Sequence, residues 1–269
     1  MKPEKLDATR IPKSLNVILL SLLCFLNSSV AATLSISQGA ASFSYNDSSS
    51  SNDLFVYDGS GDVLYQEAWY IITTSGTTLL ENGTLVTGTD SATITYTGSL
   101  GGGVSSVAIT YTITDTGSAG VLSSSAVVST LGGAEAKLVN YFDYDVGTNG
   151  GSSTFGDDEA IYNASSGTIL VTDPGSDLAV SRQGIFNDSW QIGTFGSLNA
   201  QIAGGTGLNG TGSPYGPADF TGALQWDIDL EPLGTATYAN TATLGEVPEI
   251  GQVLPSGMLL FAAIVRRRR

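Results

Sequence analysis

The densest group of side chains able to do chemistry is acidic: Asp143, Asp145, Asp157, Asp158 and Glu159 fall in one short stretch. Asp143 and Asp145 alternate along an extended run, so both project from the same face of a strand. The Gly-, Ser- and Asn-rich segment between Gly147 and Gly156 can turn the chain back and set Asp157 and Asp158 beside them. Four carboxylates brought together this way, Asp143, Asp145, Asp157 and Asp158, are the hard oxygen ligands that Ca²⁺ takes. The spacing is neither that of an EF-hand loop nor that of a Gly-Gly-x-Gly-x-Asp repeat. The plain alternative is a solvated strand face whose charges oppose edge pairing.

Carboxylates also hydrolyse glycosides in acid–base pairs. Glu67 stands two residues before Trp69, and Asp227 and Asp229 follow Trp226. Alternation sets Trp226 on the face opposite Asp227 and Asp229, which predicts Trp226 in the core. Trp69, Tyr70, Trp190, Tyr215 and Phe220 could form an aromatic surface for sugar. Strand tryptophans more commonly anchor a core, so the candidate carbohydrate contact is Tyr215, in the rigid loop Ser-Pro-Tyr-Gly-Pro at 213–217.

Much other chemistry is excluded. The chain has no histidine and a single cysteine, Cys24. That removes Ser-His-Asp and Cys-His catalysis and imidazole zinc sites. Gly101-Gly102-Gly103 lacks the Lys-Ser/Thr of a phosphate loop and reads as a turn. Between residues 33 and 247, 22 of the chain's 25 acids stand against Lys137 and Arg182 alone, a formal charge near −20. Such a surface repels nucleic acid and suits divalent cations and neutral sugars.

The elements that must position these residues are strands. Ser91–Thr97 and Val107–Thr114 alternate apolar and polar residues with period two, and β-branched and aromatic side chains fill the apolar positions. Asp58-Gly59, Asn82-Gly83, Asn149-Gly150 and Asn209-Gly210 punctuate the runs as turns. The only helix expected in the body is short, near Leu198–Ile202, with Phe195 as its packing anchor. No fixed-period repeat is visible. The pattern predicts an all-β fold, an antiparallel β-sandwich of large or supersandwich type spanning 33–246.

Both ends read as targeting segments. Lys2, Lys5, Arg10 and Lys13 precede the apolar run Leu15–Leu26, and small residues follow to Ala32. Residues 1–32 are thus expected to be a signal helix, cut by signal peptidase after Ala31 or Ala32. At the other end, residues 247–269 hold Val247-Pro248-Glu249, an apolar run from Ile250 to Val265, and Arg266, Arg267, Arg268 and Arg269. Four arginines after an apolar run form a stop-transfer signal, which predicts a short C-terminal transmembrane helix.

This tail resembles the PEP-CTERM sorting signal, on Val247, Pro248 and Glu249, the apolar run and the arginine cluster. Ile250 departs from it, standing where the family has a second proline. The resemblance implies transient membrane anchoring, processing by an exosortase-type transpeptidase, and release to the cell surface or beyond. The body is similar to galactose-mutarotase-like supersandwich domains through Leu138–Val146 and Ala223–Gly234, which implies that fold. The reading from sequence is an exported structural or adhesive protein of the cell envelope or extracellular matrix, with no cofactor beyond a Ca²⁺ ion at the acids. The alternative is a carbohydrate-active or carbohydrate-binding domain with a polysaccharide partner. Ice binding would require regular ranks of threonine, for which the sequence shows no inter-strand repeat.

Overall fold

The structure, a computed structural model, describes residues 31–48, 53–147 and 157–246. The expected signal helix, the Val247–Glu249 motif, the transmembrane helix and Arg266–Arg269 lie outside the described residues. Among those described, no helix is long and apolar enough to cross a membrane.

The chain forms β1 (Thr33–Gln38), β2 (Ala41–Asn46), β3 (Leu54–Tyr57), β4 (Leu64–Thr73), β5 (Gly76–Leu79) and β6 (Thr84–Thr87). Next come β7 (Ser91–Thr97), β8 (Val104–Asp115), β9 (Ala119–Thr130), β10 (Ala134–Tyr144), β11 (Asp158–Asn163) and β12 (Thr168–Thr172). β13 (Leu178–Ile185), β14 (Ser189–Thr194), the helix α1 (Ser197–Ala203), β15 (Tyr215–Ala218), β16 (Phe220–Leu230) and β17 (Thr235–Glu246) complete it. The antiparallel sandwich expected from the alternation is present.

One layer is a nine-stranded sheet in the order β15-β11-β12-β13-β17-β9-β8-β7-β6. Its inner face meets a five-stranded sheet, β14-β16-β10-β4-β5, and a three-stranded one, β1-β2-β3. Tyr111 of β8 packs between the rings of Phe43 and Tyr45 from the three-stranded sheet. Its hydroxyl also accepts a hydrogen bond from Trp69 Nε1 of β4 at 2.9 Å, so one residue pins both smaller sheets. Trp69 stacks on Trp226, with ring centres 6.1 Å apart, and both are fully buried. Burial of each such side chain contributes roughly 1.5–3 kcal/mol. Trp226 is therefore in the core as its strand parity requires, with Asp227 on the opposite face.

The outer face of the five-stranded sheet carries a second apolar layer. Ala68, Tyr70, Val139, Tyr141 and Ala223 pack against Leu198 and Ile202 of α1. Phe195 is not the anchor expected for this helix: it is 46% exposed, and the two buried helix residues one turn apart hold α1 instead. Across the nine-stranded sheet the register aligns Ser91, Thr112, Ser123 and Thr241 in one row. Thr93 and Thr110 share a 2.8 Å hydroxyl contact in the next. Strand pairing thus aligns some hydroxyls that lie far apart in the chain, in mixed Ser/Thr rows rather than regular ranks of threonine.

Several acids serve the backbone. Asp47 accepts from Ala32 N at 2.6 Å and Gly83 N at 2.7 Å, joining the three-stranded sheet to the approach to β6. Asp53 accepts from Asn46 N and Glu67 N at 2.9 and 2.6 Å, joining it to β4. Orphan N–H groups at the sheet junctions are satisfied this way.

Candidate functional site

Buried acids sit in two places, and their surroundings separate their roles. The deeper place holds Glu67 against Arg182 of β13, which has no exposed surface. Its Nη2 donates to Glu67 Oε1 at 2.9 Å and to Asn140 Oδ1 at 2.7 Å, and Nη1 donates to Tyr144 Oη at 3.0 Å. Asn140 Nδ2 donates to the same Glu67 oxygen at 3.2 Å. The guanidinium also lies 5.2 Å from the centre of the Phe142 ring. Burial alone would lower its pKa, yet the Glu67 carboxylate and Tyr144 hold it above the ordinary value. Glu67 is tied into this pair in the core and is not an acid available to a glycoside.

The shallower group lies where the five-stranded sheet ends. Asp143 is the penultimate residue of β10 and only 2% exposed. Asp145 follows the strand, its N–H held by Val63 O at 3.0 Å. Asp219 is the single residue between β15 and β16. One carboxylate oxygen from each of the three lies within 4.8 Å of the others. Gly216, at φ 100°, lets β15 press against Asp158 O, where a Cβ would collide, and so brings Asp219 alongside. The same absence of a Cβ at Gly222 admits the Phe142 ring beneath β16. Asp158 opens β11, is buried, and accepts from Val146 N at 3.2 Å.

No basic side chain reaches this group: of the two cations in the described residues, Arg182 is held by Glu67 and Lys137 by Asp227, at 2.9 Å. Burial, followed by the charges of Asp145, Asp219 and Asp158, pushes the Asp143 carboxyl up to about 8. Burial and then Asp145 push Asp158 up to about 8. Asp145 rises to about 6 through burial, then Asp219 and Asp62. Asp219 is raised by burial. Asp143 Oδ1 is buried with no hydrogen-bond partner among the described residues.

An aromatic pair stands beside these acids. Asp143 pairs with Gln66 and Tyr144 with Leu64, leaving Tyr65 as the extra residue of a bulge. Bulges re-aim side chains. Tyr65 is 37% exposed while Leu64 and Gln66 on either side are buried. Its ring meets that of Phe195 edge-on, at 5.9 Å and 79°. Phe195 follows the pair Thr194–Phe220 on the far side of β16. The rings therefore meet across the ends of β10 and β16, the strands that flank the carboxylates.

The structure brings Asp143 and Asp145 together as the alternation implied, but joins them with Asp219; Asp157 is not one of the three. Asp143 and Asp158 are buried, which replaces the solvated strand face with a buried cluster. Tyr215 is half-buried: its hydroxyl donates to Asp219 O at 2.7 Å and its ring packs edge-on against Phe220. It braces the Asp219 link rather than standing free on a loop. The expected sugar-binding aromatics do not share a surface, since Trp69 and Phe220 are core residues and Trp190 stacks on Tyr162 at 3.9 Å. Tyr65 and Asp219 had no local signal, and the sequence marked Phe195 only as a packing anchor for the short helix.

No protein-family model matches the chain, and no curated protein matches it significantly in sequence. Among solved structures, it shares its fold with a protein of Escherichia coli K12 provisionally named an aldose 1-epimerase. That likeness has a TM-score of 0.52 at 9% identity and covers 81% of this chain and 100% of the other. The Slr1438 protein of Synechocystis sp. PCC 6803 matches with a TM-score of 0.51 at 8% identity, over 81% of this chain and 97% of its own. A galactose mutarotase-like protein from Lactobacillus casei aligns over 79% of this chain and all of its own, at 8% identity and a TM-score of 0.49. At 8–9% identity the likeness is one of fold alone.

Proposed function

We propose that the chain is an exported carbohydrate-binding supersandwich, carried to the cell envelope or extracellular matrix by its terminal segments and processed there by an exosortase-type enzyme. The observation that carries the binding reading is the exposed Tyr65–Phe195 pair set beside the half-buried carboxylates of Asp145 and Asp219. Aromatic faces take the C–H faces of sugar rings, and carboxylates accept hydrogen bonds from their hydroxyls. The strongly acidic body favours a neutral saccharide over an anionic one. A purely structural or adhesive role without sugar recognition has no comparable feature to support it. The fold shared with an aldose-epimerase-like protein is consistent with a sugar ligand.

The test is titration calorimetry of the purified chain against neutral and acidic oligosaccharides. Binding of a neutral sugar that falls about tenfold in a Tyr65→Ala/Phe195→Ala variant with unchanged melting temperature supports the reading. Absence of binding across the panel, or equal binding by the variant, sinks it.

A further inference from the structure

We infer that Asp143, Asp145 and Asp219 form a binding site for a hard divalent cation of the Ca²⁺ class, closing the end of the five-stranded sheet. The cluster alone would not say so. The additional observation is Asp143 itself: it is 2% exposed, one oxygen of its carboxylate meets the other two aspartates within 4.8 Å, and its Oδ1 finds no donor among the described residues. A buried carboxylate without a partner is costly. Bound Ca²⁺ satisfies it, with ligand oxygens at about 2.3–2.6 Å, so two oxygens on one ion can stand about 5 Å apart. The 4.8 Å span of the three aspartates lies inside that limit.

The donor chemistry narrows the class. All three ligands are carboxylates, and the protein offers no histidine anywhere, which removes the imidazole that copper, nickel and most zinc sites employ. Asp145 and Asp219 are half-buried, on the side from which an ion and its waters can enter. They also come from a strand exit and an inter-strand link, so their geometry is adaptable, which Ca²⁺ tolerates and octahedral Mg²⁺ does not. Asp158, buried close by, adds negative potential without being one of the three. The site ties β10 to the β15–β16 link, two segments some 75 residues apart in the chain. This inference stands whether or not a sugar binds.

Three measurements on the full-length, chelator-treated chain decide it. Ca²⁺ is expected to raise the melting temperature by mass action, with a Kd of about 10⁻⁴–10⁻³ M, in the range of extracellular modules. Tb³⁺ luminescence excited through nearby tyrosine should appear and be displaced by Ca²⁺, with Mg²⁺ far weaker. Asp219→Asn should weaken both responses roughly 10–100-fold, while Asp157→Asn leaves them intact. Asp143→Asn is the discriminating variant: it should melt higher than wild type in chelator yet lose the Ca²⁺ response, a crossing that a merely structural acid does not produce. An unchanged melting curve with no displaceable Tb³⁺ signal overturns the site. So does Asp157→Asn weakening the response as much as Asp219→Asn.

Discussion

Glu67 and Asp143 are both buried carboxylates on neighbouring strands of the same sheet, yet the protein treats them in opposite ways. Glu67 faces inward, where Arg182, Asn140 and Tyr144 form one connected network. Asp143 faces outward at the sheet end, among like charges and with one oxygen unpartnered among the described residues. Along β10, Asn140 of the network lies three positions before Asp143 at the sheet's rim. Opposite strand faces thus give one acid a fixed counter-ion and leave the other to meet a proton or a cation from solution. The first arrangement holds the layers together. The second is open to an incoming ion.

The largest effect should come from removing the counter-ion in the core. Arg182→Leu leaves Glu67 buried and uncompensated and should cost about 3–5 kcal/mol in denaturant unfolding. The double variant Arg182→Leu/Glu67→Leu should recover much of that loss, because no charge is then left buried. A single variant within about 0.5 kcal/mol of wild type would erase the contrast between the two sites.

The second expected effect is a pH dependence from the acid cluster. Asp143 and Asp158 are pushed up to about 8, Asp145 to about 6, and the buried Asp53 to about 7, burial being the first cause in each. Unfolded, these carboxyls titrate near 3.9. Between the two values the folded state binds more protons than the unfolded state, so stability falls as pH rises. Chelated protein should therefore be most stable near pH 4 and lose stability up to about pH 8, and Ca²⁺ should flatten the upper part of that curve. Stability rising with pH in chelator would contradict the assignment of these acids as uncompensated.

Smaller still is the gain from neutralising one of them. Asp143→Asn in chelator should stabilise by on the order of 1–3 kcal/mol, the cost of a buried unsatisfied polar group. Chemical denaturation at pH 8 checks it; destabilisation instead would mean that the carboxylate has a partner. The smallest effect belongs to the exposed pair Lys137–Asp227. Lys137→Ala should change stability by no more than about 1 kcal/mol. A cost comparable to that of Arg182→Leu would show that burial is not what separates the two ion pairs.

By itself, the sequence determined the all-β class, the strands of 91–97 and 220–230, the core position of Trp226 and the alternation that puts Asp143 and Asp145 together. Each of these follows from period-two patterning, a local property of the chain. It also contained the absence of histidine and the scarcity of cations. Only the tertiary structure decided that Arg182, of the two cations in the described residues, would be the buried one, since the residues around it carry no mark of the partners it meets. Asp219 joined the acids because β15 and β16 are linked by one residue beside the end of β10. Tyr65 turned outward because a bulge broke the alternation at one position. Pairing between distant strands carries no mark in either strand alone, and the physical properties of this site arise from that pairing.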